Sequence, residues 1–309
     1  MIFSRKFSLI LSLCFLPGAA LFAHAVDIPG GAKSLKPGRY TAIVKLDRPR
    51  AAKDGVEADI IVPPGVSSPA PAVVFIHGNA RNKDFYKTAA NFLIAPAAVR
   101  KTVVITIQNW WPLSGDKLEA TEDTRRALNI LIHKLVDAGA IQGNRVYLSG
   151  FSAGGLAALA TFLQSIDHFR NDAYKQKFLT SWASLIKASR KDPDDFYYNF
   201  RNPGKEAGFY PYAGIMYIKG NFYTKFFSFV NDPILNAEET RKHYAVLTGD
   251  KKIVLTVGGD KEAKDVVKEV PACRGFLKNL GMRLDYHEFG DEGHNIDKSS
   301  IELLWQMLP

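Results

Sequence analysis

Short apolar runs separated by helical segments constrain the fold of this chain most strongly. Four of these runs have the composition of strands: 72–76, 102–107, 145–149 and 252–257. The run 72–76 is continuously apolar, as in a strand buried on both faces. Segments 116–138 and 153–163 have apolar residues at helical spacing. Because strands that alternate with helices form parallel sheets, the sequence predicts an α/β fold. We expect a mainly parallel central sheet with helices on both faces.

The first 25 residues have the layout of a secretory signal peptide. Arg5 and Lys6 precede an apolar stretch, and Ala23-His24-Ala25 matches a cleavage site. The apolar stretch is too short for a spanning helix, so we expect cleavage rather than anchoring. This interpretation makes residues 1–25 a signal peptide and residues 26–309 the mature domain, and it predicts a secreted or periplasmic protein.

Composition excludes several classes of partner. The chain is 47% apolar, enough for a large core, and no later segment is apolar enough to predict stable membrane insertion. The formal net charge is +9, but basic residues are scattered among acidic ones, so we expect no nucleic-acid partner. Cys273 is the one cysteine that follows the signal, so no intrachain disulfide is expected.

Residues 187–250 break the rhythm of strands and helices. Thirteen of the 36 aromatic residues of the chain lie between residues 196 and 229. The segment is too long for a plain connection. Two interpretations remain open: an extra layer packed on the sheet, or a cap-like insertion over a substrate cleft. Both can hold at once.

The stretch "YLSGFSAGG" contains Gly-x-Ser-x-Gly with Ser152 at its centre. The pentapeptide is common by chance, so its context matters more. Here strand 145–149 precedes it and helix 153–163 follows, which lifts a serine clear of the sheet edge, at the positive end of a helix. A serine hydroxyl still needs a neighbouring base to act as a nucleophile. Ser152 is therefore the candidate nucleophile.

Two later loops can supply a base and an acid. His294 follows strand 283–289, where a sheet protein would present a base beside its nucleophile. The loop after strand 252–257 offers Asp260, Glu262 and Asp265. We favour Asp260 because it is nearest the strand end, with Glu262 as the alternative acid, whereas Asp265 is also suited to cap the next helix. The order serine, acid, histidine is typical of one serine-hydrolase architecture.

Candidate oxyanion donors and substrate-binding residues belong to the same sheet edge. The backbone N–H of Ala153 and that of Asn79, in the loop "HGNARN", would form an oxyanion hole, with Ala80 as the next choice. Open α/β sheets bind ligands at the carboxyl ends of their strands. We expect the cleft there to be walled by three aromatic residues, Trp110, Trp111 and Tyr212.

Motifs for cofactors are missing from the sequence. No Gly-x-Gly-x-x-Gly follows a strand, and there is neither a phosphate-binding loop nor a His-Glu-x-x-His pair. The prediction is a site without cofactor or metal.

Four stretches together resemble the α/β-hydrolase superfamily: "VVFIHGNARN", "YLSGFSAGG", "IVLTVGGD" and "EFGDEGHN". The resemblance is strongest to the dienelactone hydrolase, polyhydroxybutyrate depolymerase and feruloyl esterase-like branches. It extends from about Asp59 to the C-terminus, weakly through 187–250. It implies the α/β-hydrolase fold and hydrolysis of an ester through an acyl-serine intermediate. The acid loop departs from the usual Gly-x-x-Asp spacing.

Three functions from different classes follow. The leading hypothesis is a secreted serine esterase acting on a small-molecule or polymer-linked carboxylic ester. The second is a serine peptidase of the same fold, which usually carries a large additional domain that we do not expect here. The third is a non-catalytic binding protein, which the complete set of serine, acid and histidine disfavours.

Overall fold

The computed structural model describes most of the residues that follow the first 25 but leaves gaps. The described residues are 26–27, 35–46, 53–78, 89–107, 117–164, 179–180, 183–184, 187, 212–220, 251–259, 261–279 and 281–307.

Nine strands of the described chain form one sheet. In chain order they are β1 (Val26–Asp27), β2 (Gly38–Val44), β3 (Val56–Val62), β4 (Ala70–Ile76), β5 (Val103–Ile107), β6 (Ile141–Ser152), β7 (Gly214–Gly220), β8 (Lys252–Gly258) and β9 (Arg283–Phe289). Their order across the sheet is β1-β2-β3-β5-β4-β6-β7-β8-β9. The first three strands pair antiparallel, as does β3 with β5, and every later pair is parallel. The predicted, mainly parallel sheet is confirmed.

Helices cover both faces of the sheet. They are α1 (Ile94–Arg100), which follows a 3₁₀ turn at Asn91–Leu93, α2 (Lys117–Asp137), α3 (Ala153–Gln164), α4 (Lys264–Asn279) and α5 (Lys298–Met307). Successive residues of β4 face opposite sides: Val74 packs in the core beneath α2, α3 and α4, whereas Val73 and Phe75 pack with α1 and α5. Burial on both faces explains why β4 and β5 are almost entirely apolar.

Two elements differ from the sequence-based expectation. The apolar stretch 178–186 has the composition of a strand, but its described residues 179–180 and 183–184 are helical. The strand beside β6 is instead β7, which lies inside the aromatic-rich segment 187–250. That segment therefore contributes a strand to the sheet and is not a cap throughout. In a short apolar run, periodicity alone cannot distinguish a buried strand from a buried helix.

Tyr212 is a core residue and not a wall of the cleft, which corrects the prediction made from the sequence. It precedes the first residue of β7, and in the pairing with β6 Gly214 lies beside Tyr147 whereas Gly220 lies beside Ser152. Tyr212 is thus at the opposite end of the strands from the candidate nucleophile. It is 1% exposed, and its hydroxyl donates to Asn129 Oδ1 at 2.9 Å. The aromatic composition of the segment concealed this role.

Replacing Tyr212 should affect stability and not substrate binding. Tyr212→Phe removes the hydrogen bond to buried Asn129 and should lower the free energy of unfolding by about 1–2 kcal/mol. Tyr212→Ala also leaves a cavity and should cost about 3–5 kcal/mol. Tyr40→Phe is the matched control, since the Tyr40 hydroxyl donates to the Lys36 carbonyl at the surface. Urea unfolding measures the free energy of unfolding of each variant. A Tyr212 variant with unchanged stability but a raised Michaelis constant would contradict the assignment of Tyr212 to the core.

Candidate active site

A sharp turn between β6 and α3 presents Ser152. Strand β6 ends at Ser152 and α3 begins at the next residue. Ser152 has φ of +54°, in the left-handed region that side chains rarely adopt. A Cβ at Gly150 would lie 2.3 Å from the Gly154 carbonyl oxygen, and one at Gly154 would lie 2.0 Å from the Ile76 carbonyl oxygen. Only glycine fits at both positions, so the close packing of the turn explains the pentapeptide.

Ser152, His294 and Glu262 form a continuous chain of hydrogen bonds. His294 Nε2 lies 2.9 Å from Ser152 Oγ, and His294 Nδ1 lies 2.7 Å from Glu262 Oε1. Because a carboxylate accepts, Nδ1 carries the proton and Nε2 is left to accept the serine hydroxyl. The His294 side chain is 30% exposed, whereas that of Glu262 is fully buried. This is the geometry of a nucleophile, a base and an orienting acid.

The buried Glu262 carboxylate is satisfied by three donors. Its Oε1 accepts from His294 and from the Ala263 N–H at 3.0 Å, and its Oε2 accepts from the Gly258 N–H at 2.9 Å. Buried charges are costly unless they are hydrogen-bonded in this way. The contacts hold the carboxylate in a single orientation toward the imidazole.

The acid that contacts His294 is thus the alternative, Glu262, and not the first choice. Asp260 lies outside the described residues, as does the side chain of Asp265. Beyond the ends of β8 and β9, Lys261 and Gly293 form a further parallel bridge. Continued pairing brings the next residues of the two loops, Glu262 and His294, side by side. The number of residues between the end of β8 and each acid, on which the choice of Asp260 was based, does not reveal this pairing.

The candidate oxyanion donors are only partly within the described chain. Ala153 is buried at the first residue of α3, directly after Ser152. The loop after β4 also reaches the nucleophile, since a Cβ at Gly78 would lie 3.0 Å from Ser152 Cβ. Asn79 and Ala80 lie outside the described residues. Asn79 as an oxyanion donor stays a prediction.

His77 is a buried, neutral histidine at the base of this loop. It is 1% exposed, and its Nδ1–H donates to the Gly78 carbonyl oxygen at 2.6 Å. Burial lowers the pKa of His77 to about 4, and hydrogen bonds with the backbone of Gly78 and Ile107 oppose this shift only in part. The imidazole therefore joins the ends of β4 and β5 without carrying a charge at neutral pH.

Acid should destabilise the fold through His77. The unfolded chain takes up this proton near the ordinary histidine value of about 6.5, whereas the folded chain does so near 4. Stability from His77 is thus complete above pH 6.5 and is lost as pH falls toward 4, by about 3 kcal/mol in all. His77→Asn, which keeps a donor, should lack this dependence. Urea unfolding between pH 4 and 7 tests it, and parallel profiles for the two proteins would contradict it.

Of the three aromatic residues expected to wall the cleft, Tyr212 lies in the core instead, and the other two stay predictions. Trp110 and Trp111 lie outside the described residues. One aromatic contact was missed by sequence reasoning: Phe151 packs beside His294, with ring centroids 5.1 Å apart and planes tilted by 37°. Its position directly before the nucleophile was the available signal.

Two further kinds of feature are absent from the described residues: a group of side chains that could bind a metal, and a helix that could span a membrane. Within them, no three His, Cys, Asp or Glu side chains are grouped so as to hold a metal ion. None of the helices in the described ranges is long and apolar enough to cross a membrane.

Comparisons with known proteins bear on the fold and on part of the sequence. A family model described as BD-FAE matches residues 58–186, less than half of the chain. No curated protein sequence matches significantly. A solved arylesterase structure is similar with a TM-score of 0.51 at 12% identity, covering 90% of this chain and 87% of its own.

Two further structures have lower TM-scores. Acyl-protein thioesterase 2 from Zea mays has a TM-score of 0.49 at 13% identity, covering 81% of this chain and 96% of its own. A hyperthermophilic esterase from the archaeon Pyrobaculum calidifontis has a TM-score of 0.45 at 10% identity, covering 82% and 80%. At identities this low, structural similarity is evidence about the fold alone. Of the three structures, the arylesterase has a TM-score above 0.5, so the comparison of folds rests on it. Together with the strand order and the turn at Ser152, it shows that the chain has the α/β-hydrolase fold.

Proposed function

We propose that the protein hydrolyses carboxylic esters through an acyl intermediate on Ser152. The observation that carries this proposal is the hydrogen-bonded chain from Ser152 through His294 to Glu262 at the carboxyl end of the sheet. A serine hydroxyl beside a neutral imidazole, which is oriented in turn by a carboxylate, is an activated nucleophile.

The proposed reaction has two halves. Ser152 Oγ attacks the ester carbonyl carbon while its proton passes to His294 Nε2. The negative oxygen of the tetrahedral intermediate accepts the Ala153 N–H and a second donor from the loop after β4. The ester C–O bond then breaks, and the alcohol leaves with the proton from His294.

Water completes the second half by the same route. It attacks the acyl carbon while His294 takes one of its protons, and the collapse of the second intermediate returns that proton to Ser152 Oγ. Glu262 stays ionised throughout and stabilises the imidazolium that forms twice in the cycle.

The match to the BD-FAE family over residues 58–186 supports an ester as substrate. We further propose that Trp110 and Trp111 help to bind a bulky apolar or aromatic acyl or alcohol group, because they follow β5 at the edge that carries Ser152. Residues 1–25 support export of the protein to the periplasm or beyond.

A substrate panel tests the proposed function. Purified mature protein is assayed on p-nitrophenyl acetate, butyrate and long-chain esters, on feruloyl esters, and on aminoacyl p-nitroanilides. Ester turnover that greatly exceeds anilide turnover is expected. Preferential anilide cleavage would favour a peptidase of the same fold, and failure to react with any ester or with a fluorophosphonate probe would favour a binding protein.

A further inference from the structure

A second buried carboxylate lies two residues before the candidate base. Glu292 is 1% exposed, in the loop that leads from β9 to α5. Its Oε1 accepts the Ser300 N–H at 2.8 Å, and its Oε2 accepts the Ser300 hydroxyl at 2.5 Å. Ser300 itself is fully buried. The carboxylate therefore closes the loop that contains His294.

The partner of Glu292 is the beginning of a helix. Ser300 is the third residue of α5, where backbone N–H groups have no acceptor within the helix. A carboxylate there satisfies one of these donors and interacts favourably with the positive end of the helix dipole. Helix α5 is fixed to the sheet in turn, because Leu304 packs in the same core as Val73 and Phe75. Glu292 thus connects the His294 loop to a rigid support.

The backbone of Glu292 also reaches the acid loop. Its carbonyl oxygen accepts the Gly259 N–H at 3.1 Å, and its own N–H donates to the Phe289 carbonyl oxygen at 3.1 Å. Gly259 lies three residues before Glu262. One residue therefore joins the loop that carries the base, the loop that carries the acid and helix α5.

We propose that Glu292 is a positioning residue for the reaction: its carboxylate holds the His294 loop against α5, so that the imidazole stays aligned with Ser152 and Glu262. This inference rests on the proposed function for its kinetic effect. A misplacement of about 1 Å at a catalytic group can cost about a hundredfold in rate, so loss of the anchor should reduce turnover and not substrate binding.

Two substitutions and one matched control separate positioning from simple stabilisation. Glu292→Ala removes both contacts with Ser300. Glu292→Gln keeps them, because its amide oxygen can accept the N–H and its amide nitrogen can donate to the hydroxyl oxygen. Asp291→Ala is the control, since Asp291 Oδ2 accepts the Ser299 hydroxyl at 3.2 Å in a hydrogen bond that lies at the surface. It removes the same charge from the same end of α5.

Turnover is measured on a p-nitrophenyl ester well below the melting temperature. Glu292→Ala should lower kcat about 10- to 100-fold with KM within about twofold of wild type. Glu292→Gln should restore kcat to within about threefold, and Asp291→Ala should stay near wild type. A Glu292→Ala protein with wild-type kcat would overturn the proposal even if its Tm fell. Equal loss in Asp291→Ala would also overturn it, because charge alone would then explain the effect.

A second readout does not depend on turnover. The downfield proton resonance of His294 Nδ1–H, assigned by its absence in His294→Gln, reports the hydrogen bond to Glu262. It should broaden or disappear in Glu292→Ala and persist in Asp291→Ala. If the wild type hydrolyses no ester, the proposed function fails, while this resonance still tests the positioning by Glu292.

If Glu292→Ala does not fold, Ser300→Ala tests the same contact from the other partner. It removes only the hydroxyl contact, and the expected result is a loss of about threefold to tenfold in kcat with weakening of the His294 resonance. Wild-type kcat and an unchanged resonance in Ser300→Ala would overturn the proposal.

Discussion

Ser152→Ala should reduce ester hydrolysis by about a hundred-thousandfold or more while the protein stays folded. The substitution removes the atom that would form the acyl bond in the proposed reaction, and His294 would then have no hydroxyl to activate. Only weak catalysis from the oxyanion donors and from substrate binding should remain. Steady-state assays on p-nitrophenyl esters measure the loss, and circular dichroism checks the fold. A variant that keeps more than about a tenth of wild-type activity would rule out Ser152 as the nucleophile.

Ser152→Gly adds a test of the turn itself. Ser152 has φ of +54°, which costs a residue with a side chain about 1–2 kcal/mol relative to glycine. Glycine should therefore abolish activity as alanine does, yet raise the free energy of unfolding above that of Ser152→Ala. Equal stability of the two variants would contradict the strained turn.

Glu262→Gln should lower kcat by about a thousandfold to ten-thousandfold, the second largest effect that we expect. Both carboxylate oxygens accept donors: Oε2 faces the Gly258 N–H, and Oε1 faces the Ala263 N–H and His294 Nδ1. An amide must turn its NH₂ toward one of these donors, and it carries no charge to stabilise the imidazolium. Either orientation disturbs the base, so both the tautomer and the charge stabilisation should suffer.

Asp260→Asn and Asp265→Asn are the matched controls for Glu262→Gln. Each makes the same chemical change close to Glu262 in the chain, Asp260 before it and Asp265 at the beginning of α4, and each should stay within a few-fold of wild-type kcat. The assay is kcat on one ester for all three variants. A large loss in Asp260→Asn with a mild one in Glu262→Gln would reverse the assignment of the acid, and three mild variants would mean that the acid lies elsewhere.

Much of the fold and two members of the site could be predicted from local sequence. Strand β4 is continuously apolar because both of its faces are covered, and the alternation of strands with helices indicated the parallel sheet. The glycines around Ser152 follow from the close approach of Gly154 to the Ile76 carbonyl. His294 could be placed because it lies in the loop after β9, at the edge of the sheet where the candidate nucleophile lies.

The identity of the acid depends on a contact that local sequence does not contain. Glu262 meets His294 because Lys261 and Gly293 extend the pairing of β8 and β9 beyond the strands themselves. These residues are far apart in the chain. Distance in the chain from the end of β8 favoured Asp260. The register between the two loops, however, determines which carboxylate contacts His294.

Tyr212 shows a different limit of sequence reasoning. An aromatic residue in an aromatic-rich segment can bind a substrate or fill a core, and composition does not distinguish the two. The distinction depends on which end of β7 it occupies, and so on the existence of β7 as a central strand. Neither is evident from the short run "GIMYIKG".

Trapping of an acyl-enzyme would show whether Ser152 carries the acyl group of the ester during turnover. Wild-type protein is mixed with p-nitrophenyl acetate, quenched with acid within milliseconds to seconds, digested and analysed by peptide mass spectrometry. We expect one acetyl group on Ser152, formed in a burst with p-nitrophenol and absent from Ser152→Ala. Ester turnover with no acylated Ser152, or with the acetyl group on another residue that is needed for turnover, would contradict it.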